Sequence, residues 1–195
     1  MYLIGIGHRS DHGKDTLANV MVSTLQESGL RVKKIPWAWK LKDICYQLYA
    51  HFGLREPEFY ETPEGRSVRN VKLPDINLTP VEIWIKVGTP AIRDNVWDST
   101  WVDYLRLSNE SKTYDVIVAP DTRFYNEIDV CDYTIKLTNP RIPNREGESV
   151  DEILKNYNGW HFNMENDTTL GDLEAKGRML ATLLLKQPRL LALLR

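Results

Sequence analysis

The stretch Gly7–Thr16, GHRSDHGKDT, is close to the pattern of a phosphate-binding loop. That pattern is a glycine, four free residues, then Gly-Lys and a serine or threonine. Here five residues separate Gly7 from Gly13, and Asp15 occupies the position of the hydroxyl residue. The run before it, YLIGIG, lacks polar alternation, as is typical of a strand that is buried on both faces. Helical spacing follows the loop, so we predict a loop between a central strand and a helix N-terminus.

A loop in this position can bind phosphate. Its free backbone N–H groups and the positive end of the helix dipole face the same way, and a lysine after the second glycine can reach terminal phosphates. Lys14 has this place. Asp15 lacks the hydroxyl that usually binds magnesium, but a carboxylate is also a hard oxygen ligand, and Thr16 supplies a hydroxyl one position later. The simpler alternative is a glycine-rich turn with a solvated lysine.

A dinucleotide-binding loop is the competing interpretation of GIGHRS (5–10). That fingerprint needs a third glycine where Ser10 stands, and an acidic residue at the end of the next strand. The next strand ends VKKIPWA (32–38), without an acid. We therefore prefer the polyphosphate interpretation.

Composition and charge restrict the class of protein. The chain has 195 residues, ordinary hydrophobic and charged fractions and a net charge of -2, so we expect a globular protein that does not coat nucleic acid. Cys45 and Cys131 are too few for a disulfide framework, and free thiols fit a reducing cytosol. We find no signal peptide and no apolar stretch of membrane-spanning length, so we expect a cytoplasmic protein without a membrane partner. The closing RLLALLR (189–195) can pack on the body or on a second copy, and a homodimer is left open.

Strands and helices alternate along the chain. Further strands are expected at 30–35, 114–120 and 133–137, and helices near 16–28, 38–52, 79–89 and 168–186. This alternation predicts a three-layer α/β fold with a central parallel sheet, whose ligands gather at the carboxyl ends of the strands. Both GHRSDHGKDT and PDTR (120–123) follow such ends. The segment 54–78 is rich in charge and proline without a sustained period, and we expect a loop-rich insertion there.

Four separated motifs resemble one known family. GKDT (13–16), AWKLKD (38–43), VGTPAIRDNVWDSTW (87–101) and APDTRFYNE (119–127) occur in that order and look like the deoxynucleoside monophosphate kinases of tailed bacteriophages. The resemblance implies a single P-loop kinase domain over residues 1–195 that transfers the γ-phosphoryl group of ATP to a deoxynucleoside monophosphate with Mg²⁺. In that family an aspartate follows the loop lysine, as Asp15 does here. The extra loop residue, with His8 in place of the first glycine, departs from it.

The resemblance also implies roles for individual residues. Gly13, Lys14, Asp15 and Thr16 would bind ATP, with Asp15 and Thr16 holding the metal. The acceptor nucleotide would contact Lys42, Gly88, Thr89, Trp101, Arg123 and Glu127, and Asp121 and Arg123 would act at the transferring group. Arg93 is not implied by the resemblance; because it follows Gly88 and Thr89 on the same segment, it could be a second phosphate clamp, and the alternative is a solvated arginine at a helix end. Arginine suits this role because its planar fork binds phosphate bidentately and stays charged.

Structural roles compete with several of these assignments. Asp121 could be a helix N-cap, and Arg123 could pair with Glu127 one helical turn on. A short lid-like loop is expected at 138–149, where Arg141 or Arg145 would close over the phosphates. The four histidines lack metal-ligand spacing and receive no assignment.

Two other functions stay open on the sequence. A kinase of the same fold could act on another small phosphorylated acceptor, such as a phosphorylated isoprenoid precursor or dephospho-coenzyme A. A protein of another class, a nucleotide-binding switch, would use the loop without an acceptor. PDTR and the insertion at 54–78 favour the kinase, because a switch needs no acceptor pocket.

Overall fold

A parallel sheet of five strands lies at the centre of the computed structural model, which describes residues 1–9, 11–142, 153–187, 190 and 192–194. Within these residues the strand order is β2-β3-β1-β4-β5, and all neighbours are parallel. The strands are β1 (Tyr2–Gly7), β2 (Val32–Lys34), β3 (Val116–Thr122), β4 (Tyr133–Thr138) and β5 (Phe162–Glu165). Because β1 is in the middle, the loop that follows it emerges at the centre of the sheet's carboxyl edge.

The sheet belongs to the first of two compact units into which the chain divides, residues 1–36 with 107–195. Its helices are α1 (Lys14–Glu27), α6 (Asn109–Thr113), α7 (Tyr125–Asp129) and α8 (Leu170–Leu185). Helices α1 and α8 pack on each other and on the sheet through a fully buried core that includes Ile4, Ile6, Leu17, Met21, Val118 and Leu184. The three-layer α/β fold predicted from the sequence is confirmed.

The second compact unit, residues 37–106, is helical. It contains α2 (Trp39–Tyr49), α3 (Pro63–Val68) and α4 (Pro80–Lys86), a π-helical segment (Val87–Arg93) that continues α4, and most of α5 (Thr100–Leu107). Short 3₁₀ turns lie at Ala50–Phe52 and Phe59–Glu61. Its core consists of Leu41, Cys45, Leu54, Tyr60, Ile83 and Trp101. The segment 54–78, predicted as an insertion, lies inside this unit.

Local signals account for most of the helix boundaries. A capping box begins α4: the Thr79 hydroxyl accepts from the Glu82 N–H at 3.1 Å, and the Glu82 carboxylate accepts from the Thr79 N–H at 2.8 Å. An equivalent box at Thr169 and Asp172 begins α8. The capping carboxylates of Glu82 and Asp172 have lowered pKa values, chiefly because each accepts a backbone hydrogen bond.

Three features differ from the sequence-based expectation. The segment 54–78 is not wholly irregular, because Thr62 caps α3 by accepting from the Gly65 N–H at 3.1 Å. Strand β5 was not predicted. Strand β3 extends to Thr122, so Asp121 lies in the strand, and the residue at the N-cap of α7 is Phe124. The alternative that Asp121 is a helix cap is therefore wrong.

Several expectations concern the ends and the chemistry of the chain. Of the lid predicted at 138–149, only the part up to residue 142 belongs to the described residues, and Arg145 lies outside them. Neither Cys45 nor Cys131 forms a disulfide, and burial raises the pKa of the Cys45 thiol to about 11. In the part of the chain that the structure describes, no helix combines the length and the apolar character needed to cross a bilayer.

Candidate functional site

The segment between β1 and α1, of which the structure describes residues 8, 9 and 11–13, is the candidate phosphate loop. Gly13 is the N-cap of α1 with a left-handed backbone, φ +96°. A side chain there would be strained in conformation, and its Cβ would lie 2.8 Å from Asn166 Nδ2. Lys14 begins the helix and is buried, and its ammonium group donates to the Arg9 carbonyl across the loop. The lysine side chain is thus directed back over the turn, the direction that a phosphate-binding lysine requires.

The extra residue of the loop is accommodated by unusual backbone conformations. Besides Gly13, two non-glycine residues in the described part of the loop have positive φ, His8 at +90° and Asp11 at +62°. Such conformations cost about 1–3 kcal/mol each and persist only where the surroundings enforce them. They allow the chain to make a tight turn although one residue has been added to the usual pattern.

His12 fixes the loop to the rest of the first unit. Its ring is buried, and Nδ1 accepts from the Asn139 N–H at 3.2 Å and lies 3.3 Å from the Leu137 carbonyl oxygen. The amide of Asn166 donates to the His12 carbonyl at 3.1 Å. The loop is therefore positioned by the ends of β4 and β5. Sequence analysis missed these residues because they are far from the loop along the chain.

Asp15 and Thr16, the predicted metal ligands, lie in the first turn of α1 and are half-buried. Asp15 Oδ1 is 3.1 Å from Lys34 Nζ, at the end of β2. A partly exposed ion pair of this kind stabilises the fold little, so the carboxylate can exchange its lysine for a metal ion at small cost. One carboxylate, one hydroxyl and substrate phosphates are a ligand set that suits magnesium.

The carboxyl end of β3 lies beside the loop. Gly7, the last residue of β1, is paired with Thr122, the last residue of β3. Asp121 and Arg123 flank Thr122, and both are half-buried. The two motifs that sequence analysis singled out at strand ends are thus neighbours at one edge of the sheet.

Glu127 has a clear structural role at this edge. It is buried, and its Oε2 accepts from the Arg123 N–H at 2.7 Å and from the Phe124 N–H at 3.1 Å. The carboxylate thereby caps α7 and fixes the backbone of Arg123. The backbone N–H of Arg123 is thus one contact between these two residues. Its expected contact with substrate stays a prediction.

Tryptophan and glycine make a close approach at the start of the loop. A Cβ on Gly7 would lie 2.3 Å from the ring of Trp160 and 2.7 Å from the Thr122 carbonyl oxygen. Trp160 is buried with Ile128 and Leu154. Only glycine fits here, because the indole and the neighbouring strand occupy the space of a side chain.

The second unit contains most of the residues expected to bind the acceptor, whereas Arg123 and Glu127 lie in the first. Lys42 Nζ lies 2.8 Å from Glu61 Oε1 and 5.0 Å from the centre of the Trp84 ring. Gly88 is buried against Leu41, and the Trp101 indole N–H donates to its carbonyl at 3.2 Å. Trp101 is part of the core, so it could form the wall of a pocket from within but is not free to stack as a surface residue.

Thr89 and Arg93 lie on the π-helical segment that continues α4. The Thr89 carbonyl accepts from the Asp94 N–H at 2.9 Å, a bond that spans five residues, and Pro90 is inside the segment. Wide turns of this type are frequently found at functional sites. Arg93 is half-buried. The residues predicted for the donor therefore lie in the first unit, and Lys42, Gly88, Thr89, Arg93 and Trp101 lie in the second.

His8 is the titratable group of the loop that sequence analysis left unassigned. The pKa of its imidazole is lowered to about 4, first by burial and then by the positive charges of Lys136, His12, Arg9 and Lys14. Arg141, a lid candidate, donates from its guanidinium to the Thr168 carbonyl. The described part of the chain contains no cluster of three or more histidine, cysteine or acidic side chains that could hold a metal ion.

Comparisons with known proteins give little further information. No model of a known family matches the sequence, and no curated protein matches it. Among solved structures, the MinD cell division protein of Aquifex aeolicus is similar over all of this chain and 94% of its own, with 15% identity and a TM-score of 0.34. A match at this level supports no statement on function.

Proposed function

We propose that this protein is a deoxynucleoside monophosphate kinase, which transfers the γ-phosphoryl group of ATP to a deoxynucleoside monophosphate. The observation that carries the proposal is the pairing of Gly7 with Thr122, because it sets the loop of Lys14 beside Asp121 and Arg123. Phosphoryl transfer needs alignment and cationic stabilisation more than covalent chemistry from the protein. The order of the four sequence motifs supplies the acceptor class.

On the donor side, the loop amides and Lys14 would bind the phosphates of ATP. Lys14 would exchange its bond to the Arg9 carbonyl for phosphate oxygens, and Asp15 would exchange Lys34 for the metal, with Thr16 beside it. Magnesium, when bound, would neutralise the donor phosphates. The Arg123 guanidinium, whose backbone Glu127 fixes, would stabilise charge on the transferring group.

On the acceptor side, Lys42 is the residue with the clearest phosphate-binding chemistry. Its ammonium is paired with Glu61, an exposed carboxylate, and this pair can be replaced by an acceptor phosphate. Gly88, Thr89, Arg93 and Trp101 would form the remainder of the acceptor pocket. The acceptor phosphate oxygen would attack the γ-phosphorus in line.

The proposal is tested by incubating the purified protein with ATP and Mg²⁺ and measuring ADP. The acceptors offered are the four common deoxynucleoside monophosphates, phosphomevalonate and dephospho-coenzyme A, with a reaction without acceptor as the baseline. We expect ADP release that depends on a deoxynucleoside monophosphate. Release only with one of the other two acceptors would assign a different kinase, and slow release indifferent to acceptor would assign a switch.

Substitution of Lys14 tests the loop itself. We expect Lys14→Met to lower turnover about 100-fold or more, because the charge that stabilises the transferring phosphoryl group is lost while the chain length is kept. The control is Lys33→Met, which removes an exposed lysine from β2. Circular dichroism verifies folding. Retained turnover in Lys14→Met would exclude the loop as the donor site.

A further inference from the structure

The His8 ring lies beside that of His12, with ring centroids 5.5 Å apart, but one of its nitrogens forms no hydrogen bond. Its Nδ1 is buried and has no hydrogen-bond partner. The other two histidines of the first unit are held: Nδ1 of His12 accepts from the Asn139 N–H, and Nδ1 of His161 accepts from the Thr134 N–H at 3.1 Å. A buried polar atom without a partner costs about 1–3 kcal/mol. The fold therefore leaves one polar atom of the His8 ring unsatisfied.

His8 also occupies a strained position inside the candidate phosphate loop. Its φ of +90° is rare for a residue with a side chain. It directly follows Gly7, whose partner on β4 is Lys136. Strain of this kind is concentrated at ligand-binding sites, where the surroundings enforce it.

The charges that act most strongly on His8 are positive or titratable to positive. After burial, its pKa is lowered by Lys136 on β4, by His12 and Arg9 in the loop, and by Lys14 at the start of α1. Together with burial they keep the imidazole neutral, with its pKa near 4. A bound polyphosphate would reverse this balance, because its negative charges neutralise the surrounding cations and attract an imidazolium.

We propose that His8 is a phosphate-binding residue of the loop, and that the protein takes up one proton from solvent on this imidazole when it binds ATP. The inference rests on the proposed function, since it requires a nucleotide in the loop. The protonated ring donates a hydrogen bond to a phosphate oxygen. This bond compensates for the loss of the first glycine of the usual pattern, whose position His8 occupies.

Linkage fixes the sign of the effect. A group whose pKa is raised by a ligand strengthens binding at low pH, and this gain is lost as the pH rises through the pKa of the complex. Between the pKa of the free protein and that of the complex, one bound proton changes affinity about tenfold for each pH unit. Protons on ATP itself contribute equally in the wild type and in a His8 variant, so the ratio of the two affinities isolates His8.

The experiment is titration calorimetry with ATP and Mg²⁺ from pH 6 to 8, in two buffers that differ in ionisation enthalpy, so that proton uptake is counted directly. The variant is His8→Asn, since asparagine tolerates positive φ and does not titrate. His51→Asn is the matched control, because it removes an exposed histidine of the second unit. On binding ATP, the wild type and the control should each take up as much as one proton more than His8→Asn. The ratio of the wild-type affinity for ATP to that of His8→Asn should grow as the pH falls.

Equal proton uptake in the wild type and His8→Asn, with ATP bound by both, would overturn the inference and leave the proposed function intact. Absence of ATP binding at every pH would overturn both. If His8→Asn does not fold, His8→Gly replaces it, because glycine relieves the positive φ. Uptake by His8→Gly that matches the wild type would also overturn the inference.

Discussion

At the scale of single residues, His8 makes the stability of the protein depend on pH. Its pKa is about 4 in the folded protein against an ordinary 6.5, so between these values the unfolded chain binds the extra proton. The contribution of neutral His8 to the free energy of unfolding is then fully present above pH 6.5 and is lost as the pH falls toward 4. Over this range we expect the free energy of unfolding of His8→Asn to fall by about 1–2 kcal/mol less than that of the wild type. This figure is reduced from the full pKa shift because solvent screens the half-buried ring.

Urea unfolding at pH 7.5 and pH 4.5 measures this difference. Carboxylates that titrate in the same range contribute to both proteins, so only the difference between them reports on His8. His51→Asn should follow the wild type. A loss of stability on acidification that is equal in wild type and His8→Asn would show that His8 is protonated without penalty in the folded protein.

The position of Lys14 can be predicted from the sequence, whereas the surroundings of His8 cannot. Gly13 and Lys14 form a local pattern, a short apolar strand followed by Gly-Lys and a helix, and the structure places both as expected. His8 has no such pattern. Burial lowers its pKa most, and the charge of Lys136, which is adjacent only because β4 pairs with β1, lowers it further. Charge contributed across strands could not be predicted from spacing along the chain.

At the scale of elements, Glu127 determines how α7 begins. Its buried carboxylate accepts from the N–H groups of Arg123 and Phe124. Glu127→Ala leaves two backbone donors without a partner, and we expect it to lower the free energy of unfolding by about 2–4 kcal/mol. Glu127→Gln keeps an acceptor oxygen and should lose about 1 kcal/mol, the share that comes from charge.

Denaturant unfolding measures the free energy of unfolding of these variants. The dependence of that free energy on denaturant concentration should be the same as in the wild type. Asp129→Ala is the control, because Asp129 is an exposed acid at the end of the same helix. If Glu127→Ala were as stable as Asp129→Ala, the hydrogen bonds to Arg123 and Phe124 would contribute nothing net. That result would favour the role in substrate binding that the family resemblance implies for Glu127 over a structural role.

Elements with local signals could be predicted, and elements defined by tertiary contacts could not. Strand β1 and the capping box of α4 follow from residues within one turn or strand. Strand β5 is four residues long, with partly buried and exposed residues in alternation, and gains its identity from pairing with β4. Helix α3 was missed although Thr62 and Pro63 form a normal N-terminus, because the surrounding charges and prolines concealed a helix of six residues.

At the scale of the whole molecule, the two compact units divide the expected chemistry. Lys14, Asp15, Thr16, Asp121, Arg123 and Glu127 belong to the unit built on the sheet, and the other acceptor-side candidates belong to residues 37–106. The sequence predicted an insertion at 54–78, which is shorter than the second unit. Helices α2 and α4 have ordinary amphipathic patterns, which fit packing on a sheet as well as packing on other helices. The second unit is recognised only in the structure, because α2 and α4 pack on each other with Leu41 and Ile83 in one core.

This division predicts that acceptor binding can be impaired without affecting the donor. Lys42→Met removes the cation paired with Glu61, and a lost charge-assisted hydrogen bond to phosphate is worth about 1.5–3 kcal/mol. We expect the KM for the deoxynucleoside monophosphate to rise about 10- to 100-fold, while the Kd for ATP changes less than twofold. Lys40→Met is a close control, because Lys40 is on the same helix and is likewise paired with an acid, Asp43. Equal losses of ATP and acceptor affinity in Lys42→Met would contradict the division of roles, and so would an effect of Lys40→Met as large as that of Lys42→Met.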